Sequence, residues 1–403
     1  MKLHQNLALG IVSCLNDILK EKKALRPSLN QLLKQNRKWG SRDRRLVGES
    51  VLEIIRWKRL FTEIGKLDPK SNQYYWNLLG IWMLKKKIPL QDWGYFSEIK
   101  AESIDFEFNR KSKARAILQS IPDWLDDLGL KTLGKTVWEK EIENLNNKAP
   151  LVLRVNTFKT SPEKLQNILK KKYDIESSRI PEFPAALFLD KHKKLNHLEL
   201  FKQGWFEIQD ANSQKVSYFA APKPGMLVVD GCAGSGGKTL HLANLMHNKG
   251  RIIALDPHKK KLEQLKARIK RNGVRMVTVH DLDSEDIFRK YKENTDLVLI
   301  DVPCSGLGVL RRNPAAKWHM NPSYIEELIR LQQLILKKQS LLVKRGGALV
   351  YSTCSIFSNE NENQIQKFLK SNVGKSFRLE KEKTLLTHNS MGDGFYMARL
   401  IRD

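Results

Sequence analysis

Residues 228–243 read VVDGCAGSGGKTLHLA. Two β-branched residues and an acid close an apolar run, a glycine-rich turn follows, and a helical period begins at Lys238. Glycines in such a turn let the backbone pass close to a ligand, and the N-terminus of the following helix favours anionic groups. The tetrad GGKT invites a phosphate-loop reading, but that pattern requires glycine at position 232, where this chain has Cys232. A strict GxGxxG also fails, leaving D-x-C-A-x-x-G-G-K-T. The next apolar run ends in Asp256, 19 residues after Gly237, where an acid suits a bidentate hydrogen bond to ribose hydroxyls. A ribose-binding acid beside an open glycine loop without a phosphate cradle points to S-adenosylmethionine. A plain connecting turn is the bland alternative, and it leaves the acid unexplained. Asp283 or Asp281, after the third run, could accept from an adenine amino group; a helix cap is the alternative for either.

Working outward, GMLVVD, RIIALD, VTVH, DLVLID and GGALVYST are apolar runs suited to buried parallel strands. Helical segments such as KTLHLANLMHN and KKLEQLKARIKRNG fall between several of them. The alternation predicts a doubly wound α/β sheet over residues 221–403. GDGFYMARLI, near the end, is expected to add antiparallel edge strands. Residues 141–220 mix strand-like PLVLRVNT and GWFEIQD with a capped helix, SPEKLQNILKKKY, and read as a small α+β unit. Residues 1–140 are poor in glycine and helical in period, with Val47, Val51, Ile54 and Ile55 on one face and Asp43 placed as an N-cap.

Two thiols fall at strand ends. Asp301, Pro303 and Cys304 follow the fourth run, and Cys354 follows the fifth. Ligands of open α/β sheets sit at the carboxyl ends of the strands, so both thiols are expected to face the cofactor crevice. A lone cysteine is usually a small buried hydrophobe; two in polar loops at adjacent strand ends suggest chemistry. Methylation of pyrimidine C5 needs a thiol beside a methyl donor. A thiolate adds to C6, C5 becomes nucleophilic, and loss of the C5 proton frees the enzyme. Asp301 is placed to hold the N3 and exocyclic-amine edge of the ring. Lys238 could orient the loop or Asp301, or simply be solvated. The residues alone do not say which thiol attacks.

The net charge of +27, from 71 Lys and Arg against 44 Asp and Glu, calls for a polyanionic partner. About +11 of it lies in residues 1–140, so the surplus is spread along the chain. No uninterrupted apolar stretch is long enough for a transmembrane helix, and the first twenty residues are too polar for a signal peptide. Four cysteines without CxxC pairs offer neither a disulfide framework nor zinc spacing. A cytoplasmic, monomeric protein without a metal or a membrane partner is expected.

The segments RVN (154–156), GWFEIQDANSQ (204–214), 230–239, 301–318, 351–363 and GDGFYMA (392–398) resemble, in order, the motifs of the Nol/Nop/Sun family of RNA 5-methylcytosine methyltransferases. The bacterial small-subunit ribosomal RNA members are the most similar. The resemblance implies a class I, Rossmann-like S-adenosylmethionine-dependent methyltransferase sheet, with an N-terminal all-helical domain and a small α+β RNA-binding subdomain. It implies that Cys232, Ala233, Gly234, Ser235, Gly236, Gly237 and Lys238 form the S-adenosylmethionine loop, with Asp256, Asp283 and Asp301 as further binding positions. It makes Cys354 the nucleophile and Cys304 the residue that assists product release. The implied substrate is a cytidine in 16S rRNA, with tRNA as the other RNA to consider and a non-catalytic RNA-binding or ribosome-assembly protein as the reading from a different class. SRDRRLVGESVLEIIRWKRL resembles the central helix of the antitermination factor NusB. The chain departs from the family twice: Ser235 stands where proline is common before the two glycines, and NPAAKW lacks an acid often found before the lysine.

Overall fold

The computed structural model describes residues 2–101, 104, 114–190, 193–282 and 285–403. It divides into two compact units, Met1–Asn147 with Leu310–Pro322, and Lys148–Val309 with Ser323–Asp403.

The first unit is helical. Its helices include Gln5–Leu19, Leu25–Gln35, Ser41–Arg56, Lys58–Gly65 and Tyr74–Lys85. In Ser41–Arg56 the residues Val47, Val51, Ile54 and Ile55 are fully buried, the i, i+4, i+7, i+8 stripe of a helix facing a core. They pack with Leu7, Ile11, Leu15 and Ile18 of the first helix and Leu78 and Trp82 of the fifth. Asp43 is not the N-cap expected from the sequence. Gly40 holds that position, and Asp43, in the first turn, reaches back to accept from Gly40 N at 3.3 Å. The carboxylate does the same service to a free backbone donor from three residues further on.

The segment Leu310–Pro322 leaves the α/β part of the chain and joins this helical core. Trp318 Nε1 donates to Ile55 O at 2.7 Å, Lys317 Nζ to Arg56 O at 2.8 Å, and Arg56 Nη2 to Arg311 O at 2.8 Å. A ring nitrogen of His319 bonds Ile18 O at 2.7 Å. Burial holds the Lys317 amine well below its ordinary value. The NPAAKW motif is therefore built into the helical unit, a destination its position after the fourth strand gave no reason to expect.

The second unit holds two sheets. The smaller is antiparallel, in the order β2 (Ser177–Ser178), β3 (Ala186–Leu189), β1 (Leu151–Val155), β4 (Phe206–Ile208). Helix Pro162–Tyr173 covers it, started by Ser161 Oγ accepting from Lys164 N with proline at the first position. The larger sheet contains β5 (Leu227–Asp230), β6 (Arg251–Asp256), β7 (Val277–Asp281), β8 (Thr295–Asp301), β9 (Val343–Thr353), β10 (Phe377–Leu385) and β11 (Phe395–Arg402). Their order is β10-β11-β9-β8-β5-β6-β7. Strands β5 to β9 are parallel, and the last two are antiparallel. This is the doubly wound, Rossmann-like sheet expected from the sequence. Val228, Val229, Ile252, Ile253, Val298, Leu299, Leu349 and Val350 are fully buried, as strands covered on both faces must be.

The closing segment does add antiparallel strands, with one difference. β11, which carries FYMARLI, lies inside the sheet, and the edge is β10. The exposed run Arg378–Lys383 (RLEKEK) lies on β10, and charge on an edge discourages pairing with another chain. The chain reverses its direction of growth between β5 and β8, which opens a crevice at their carboxyl ends. Among the described residues no helix is long and apolar enough to cross a membrane.

Candidate active site

That crevice is a cleft of about 530 Å³. Its floor is the loop after β5. Gly234 and Gly236 have φ of 55° and 89°, and a side chain at Gly236 would press to 2.1 Å from Leu265. Only glycine fits that combination. Cys232, Ala233, Gly234, Ser235, Gly237 and Lys238 line the cleft, while Gly236 faces the helix behind it. Asp256, at the end of β6, lines it too. Its oxygens accept from Gly234 N and His258 N, both at 2.9 Å. A carboxylate has about four acceptor sites, so capacity remains for a ribose while the acid also shapes the loop.

Burial raises the Asp230 carboxyl to about 6, against the relief given by the Thr239 hydroxyl at 2.7 Å. Its other oxygen is buried without a partner. An unsatisfied buried acceptor in the wall of a cleft is a place for a ligand's donor. Together with Asp256, the open glycine loop and a volume in the range of nucleotide-sized sites, the residues fit S-adenosylmethionine. Asp281 ends β7, and Leu282 lines the cleft. Asp283 lies outside the described residues.

Asp301 ends β8 on the far wall. Lys238 Nζ donates to its Oδ2 at 2.5 Å, and Ser352 Oγ to its Oδ1 at 2.7 Å. Lys238 is only 8% exposed, so the solvated reading of this lysine does not hold. The lysine comes from the glycine loop and the serine from β9, so the acid's orientation depends on three strand ends at once.

The thiols meet just beyond. Cys304 Sγ and Cys354 Sγ are 3.3 Å apart, and Cys354 N donates to Cys304 Sγ at 3.3 Å. The contact with Cys354, reinforced by burial, pushes the Cys304 thiol well above its ordinary value. Burial does the same to Cys232. Contrary to expectation, neither Cys304 nor Cys354 lines the cofactor cleft, whose wall ends at Pro303. The chain turns away there because Ser305 is drawn to a buried acid. Ser305 N and Oγ donate to Glu360 at 2.8 and 2.5 Å, and Gln332 Nε2 bonds both Glu360 Oε1 at 3.1 Å and Pro303 O at 3.0 Å.

The second thiol loop is held by the next residue. Thr353 Oγ1 donates to Asn361 Oδ1 at 2.6 Å, and Asn361 Nδ2 donates to Ser355 O at 3.1 Å. Gly308 N donates to Cys354 O at 2.9 Å, and Gly394 N to Gly308 O at 2.8 Å. A Cβ on Gly308 would lie 2.4 Å from Gly394 O and 2.7 Å from Cys354 O, so the three loops close only around a glycine. The neighbouring Asp393 N bonds the Asp210 carboxylate, which also caps helix Ala211–Ala220.

Sequence reasoning assigned no role to Glu360, Asn361, Ser305, Gln332 or Ser352. For Glu360 and Asn361 the signal was the dense polar run SNENENQ (358–364), a few residues after the buried strand β9; Ser305, Gln332 and Ser352 carried none.

A family model described as 16S rRNA methyltransferase RsmB/F matches residues 217–401, and one described as Methyltr_RsmF/B-like, ferredoxin-like domain matches residues 121–196. A Synechocystis protein named probable ribosomal RNA small subunit methyltransferase B is 36% identical over 299 residues, 70% of this chain and 66% of that protein. The match therefore spans about two thirds of the relative's length. Among solved structures, a protein titled PH0851 aligns over 100% of both chains with a TM-score of 0.82 and 26% identity. A methyltransferase homologue from Pyrococcus horikoshii aligns over 72% of this chain and 97% of its own, with a TM-score of 0.63 and 27% identity.

Proposed function

The chain belongs to the RsmB/F family of 16S rRNA methyltransferases, and on that footing we propose that it methylates C5 of an unpaired cytidine in 16S rRNA, through a covalent adduct on Cys354. The observation that carries the reading is the thiol pair, 3.3 Å apart at the ends of adjacent strands β8 and β9, beside an aspartate locked by two donors. The chain acts as a monomer in the cytoplasm, and its positive charge binds the RNA backbone without specifying the base.

When bound in the cleft, S-adenosylmethionine supplies an electrophilic methyl group. Cys232 to Lys238, Asp256 and Asp283 are the positions that hold it. Asp301, paired with the Lys238 ammonium, accepts from the exocyclic amine of the extruded cytosine and aligns the ring. Cys354 Sγ forms a bond to C6, and the ring's electrons shift so that C5 becomes nucleophilic. After methylation a base takes the C5 proton, the C5–H electron pair re-forms the C5–C6 double bond, and the C6–S pair leaves with Cys354 Sγ.

Either thiol can donate in the 3.3 Å contact. The contact with Cys354 and burial push the Cys304 thiol well above its ordinary value, so in this reading Cys304 keeps its proton. Cys304 then assists departure of the product.

Replacing Cys354 with alanine should abolish transfer of tritiated methyl groups to 16S rRNA. Replacing Cys304 with alanine should leave an RNA–protein adduct on denaturing gels. Normal turnover by Cys354→Ala would refute the assignment. Bisulfite sequencing of total RNA with and without the gene locates the cytidine, and a lost signal in tRNA in place of 16S rRNA would correct the substrate.

A further inference from the structure

Ser235 lies between Gly234 on one side and Gly236 and Gly237 on the other. Three glycines leave this stretch with much backbone freedom, which no proline ring limits. The structure shows a restraint of another kind. Arg268, on helix Lys259–Asn272, donates Nη1 to Ser235 O at 2.7 Å and to Ser235 Oγ at 3.1 Å. Its Nη2 donates to Glu207 Oε2 at 3.0 Å. Glu207, on β4, is 3% exposed and also accepts from Arg271 Nη2 at 2.5 Å and Asn272 Nδ2 at 2.6 Å. The guanidinium is thus fixed from behind before it meets the loop. A planar fork held on one edge and donating from the other is a rigid connector.

We infer that Arg268, braced by Glu207, is a positioning residue that holds the methyl-donor loop at Ser235, a restraint that a proline ring at that position could also supply. A second link from the same small sheet supports this. Arg154, on β1, donates to Gln209 Oε1 at 2.5 Å and to the carbonyl of Gly237, two residues along the loop. The RVN and GWFEIQD segments therefore contribute to holding the donor loop from the small sheet, in addition to any contact with RNA.

The inference rests on residues 232–238 being the donor loop. It is tested by calorimetric titration of the 403-residue chain with S-adenosylmethionine. Arg268→Met keeps the apolar stem of the side chain and should raise the Kd about tenfold, equivalent to about 1.4 kcal/mol. Ser235→Pro is the reference for the rescue arm; the bond closing the turn runs from Gly236 N to Ala233 O and needs no donor from residue 235. The double variant should bind within about threefold of Ser235→Pro and more tightly than Arg268→Met. General misfolding caused by loss of the arginine would not be repaired by a proline in the loop, so rescue separates positioning from bulk stability. If Arg268→Met fails to fold, Arg268→Lys takes its place, because an ammonium cannot bridge both partners with a planar fork. Binding by the arginine variant within twofold of the parent, or a double variant no better than the single, overturns the proposal. Asp256→Ala distinguishes the two failures. If it weakens binding while Arg268→Met does not, only the clamp is wrong; if neither weakens it, the loop assignment itself is wrong.

Discussion

Removing the carboxylate of Glu360 should disorder the Cys304 loop without touching either thiol. Glu360 is fully buried and accepts three hydrogen bonds, from Ser305 N, Ser305 Oγ and Gln332 Nε2. In Glu360→Ala the Gln332 amide keeps Pro303 O at 3.0 Å, and the Ser305 hydroxyl keeps a weak partner in Ser355 Oγ at 3.5 Å. Ser305 N loses its acceptor. One buried, unpaired donor costs about 1–3 kcal/mol, a weakened hydroxyl adds about 0.5–1, and the vacated volume contributes further, for a total of about 3–4 kcal/mol. Glu360→Gln keeps the volume and one accepting oxygen but turns an amide N–H₂ toward a donor, so about 1–2 kcal/mol is expected. The assay is hydrogen exchange by mass spectrometry across a urea series. It follows the transition in which peptides of β8 and β9 lose protection, which avoids treating a chain of two units as one transition. Methyl transfer to RNA by the alanine variant should fall at least about tenfold, because a loop displaced by about 1 Å no longer aligns its thiol. A loss below about 1 kcal/mol, with turnover unchanged, would show that Glu360 does not hold the loop.

Other outcomes follow from the same geometry. Lys238→Met should leave the Asp301 carboxylate with Ser352 alone and lower kcat for RNA methylation about tenfold or more; a change in KM with kcat intact would argue that Asp301 needs no ammonium. Asp230, raised to about 6 from 3.8, binds its proton more tightly folded than unfolded, so its contribution is greatest below about 4 and is lost as pH rises through 6. The stability difference between the parent and Asp230→Asn should therefore shift against the parent by up to about 3 kcal/mol between pH 4 and pH 7; a flat difference across that range would refute it. RNA affinity should fall steeply as salt is added while affinity for S-adenosylmethionine barely changes, and equal salt dependence for both would mean that the +27 charge serves another partner.

Local signals carried much of the architecture. β6 covers the run RIIALD end to end, and Lys259–Asn272 ends at Gly273, whose φ of 72° is the left-handed stop that glycine favours. These features depend on residues within a few positions of one another, and so does the glycine loop, whose unusual φ values need glycine wherever the rest of the chain lies. Asp43 shows the limit of local reading. The residue type was right for capping, and the backbone start was displaced by three residues because a carboxylate can cap from either place.

By itself, then, the amino-acid order determined the strand and helix alternation, the loop that turns beneath the cleft, and the placing of two thiols after successive strands. The tertiary structure alone decided which groups meet. Cys304 and Cys354 are 50 residues apart in the chain, Ser305 and Glu360 55, Lys238 and Asp301 63, and Ser235 and Arg268 33. It also decided that residues 310–322 pack with the helical unit. Hydrogen bonds between distant residues leave no period in the sequence, and an acid such as Glu360 looks the same on paper whether it is solvated or sealed against a loop. Its meaning appears only when folding removes the water and leaves it with the partners it has.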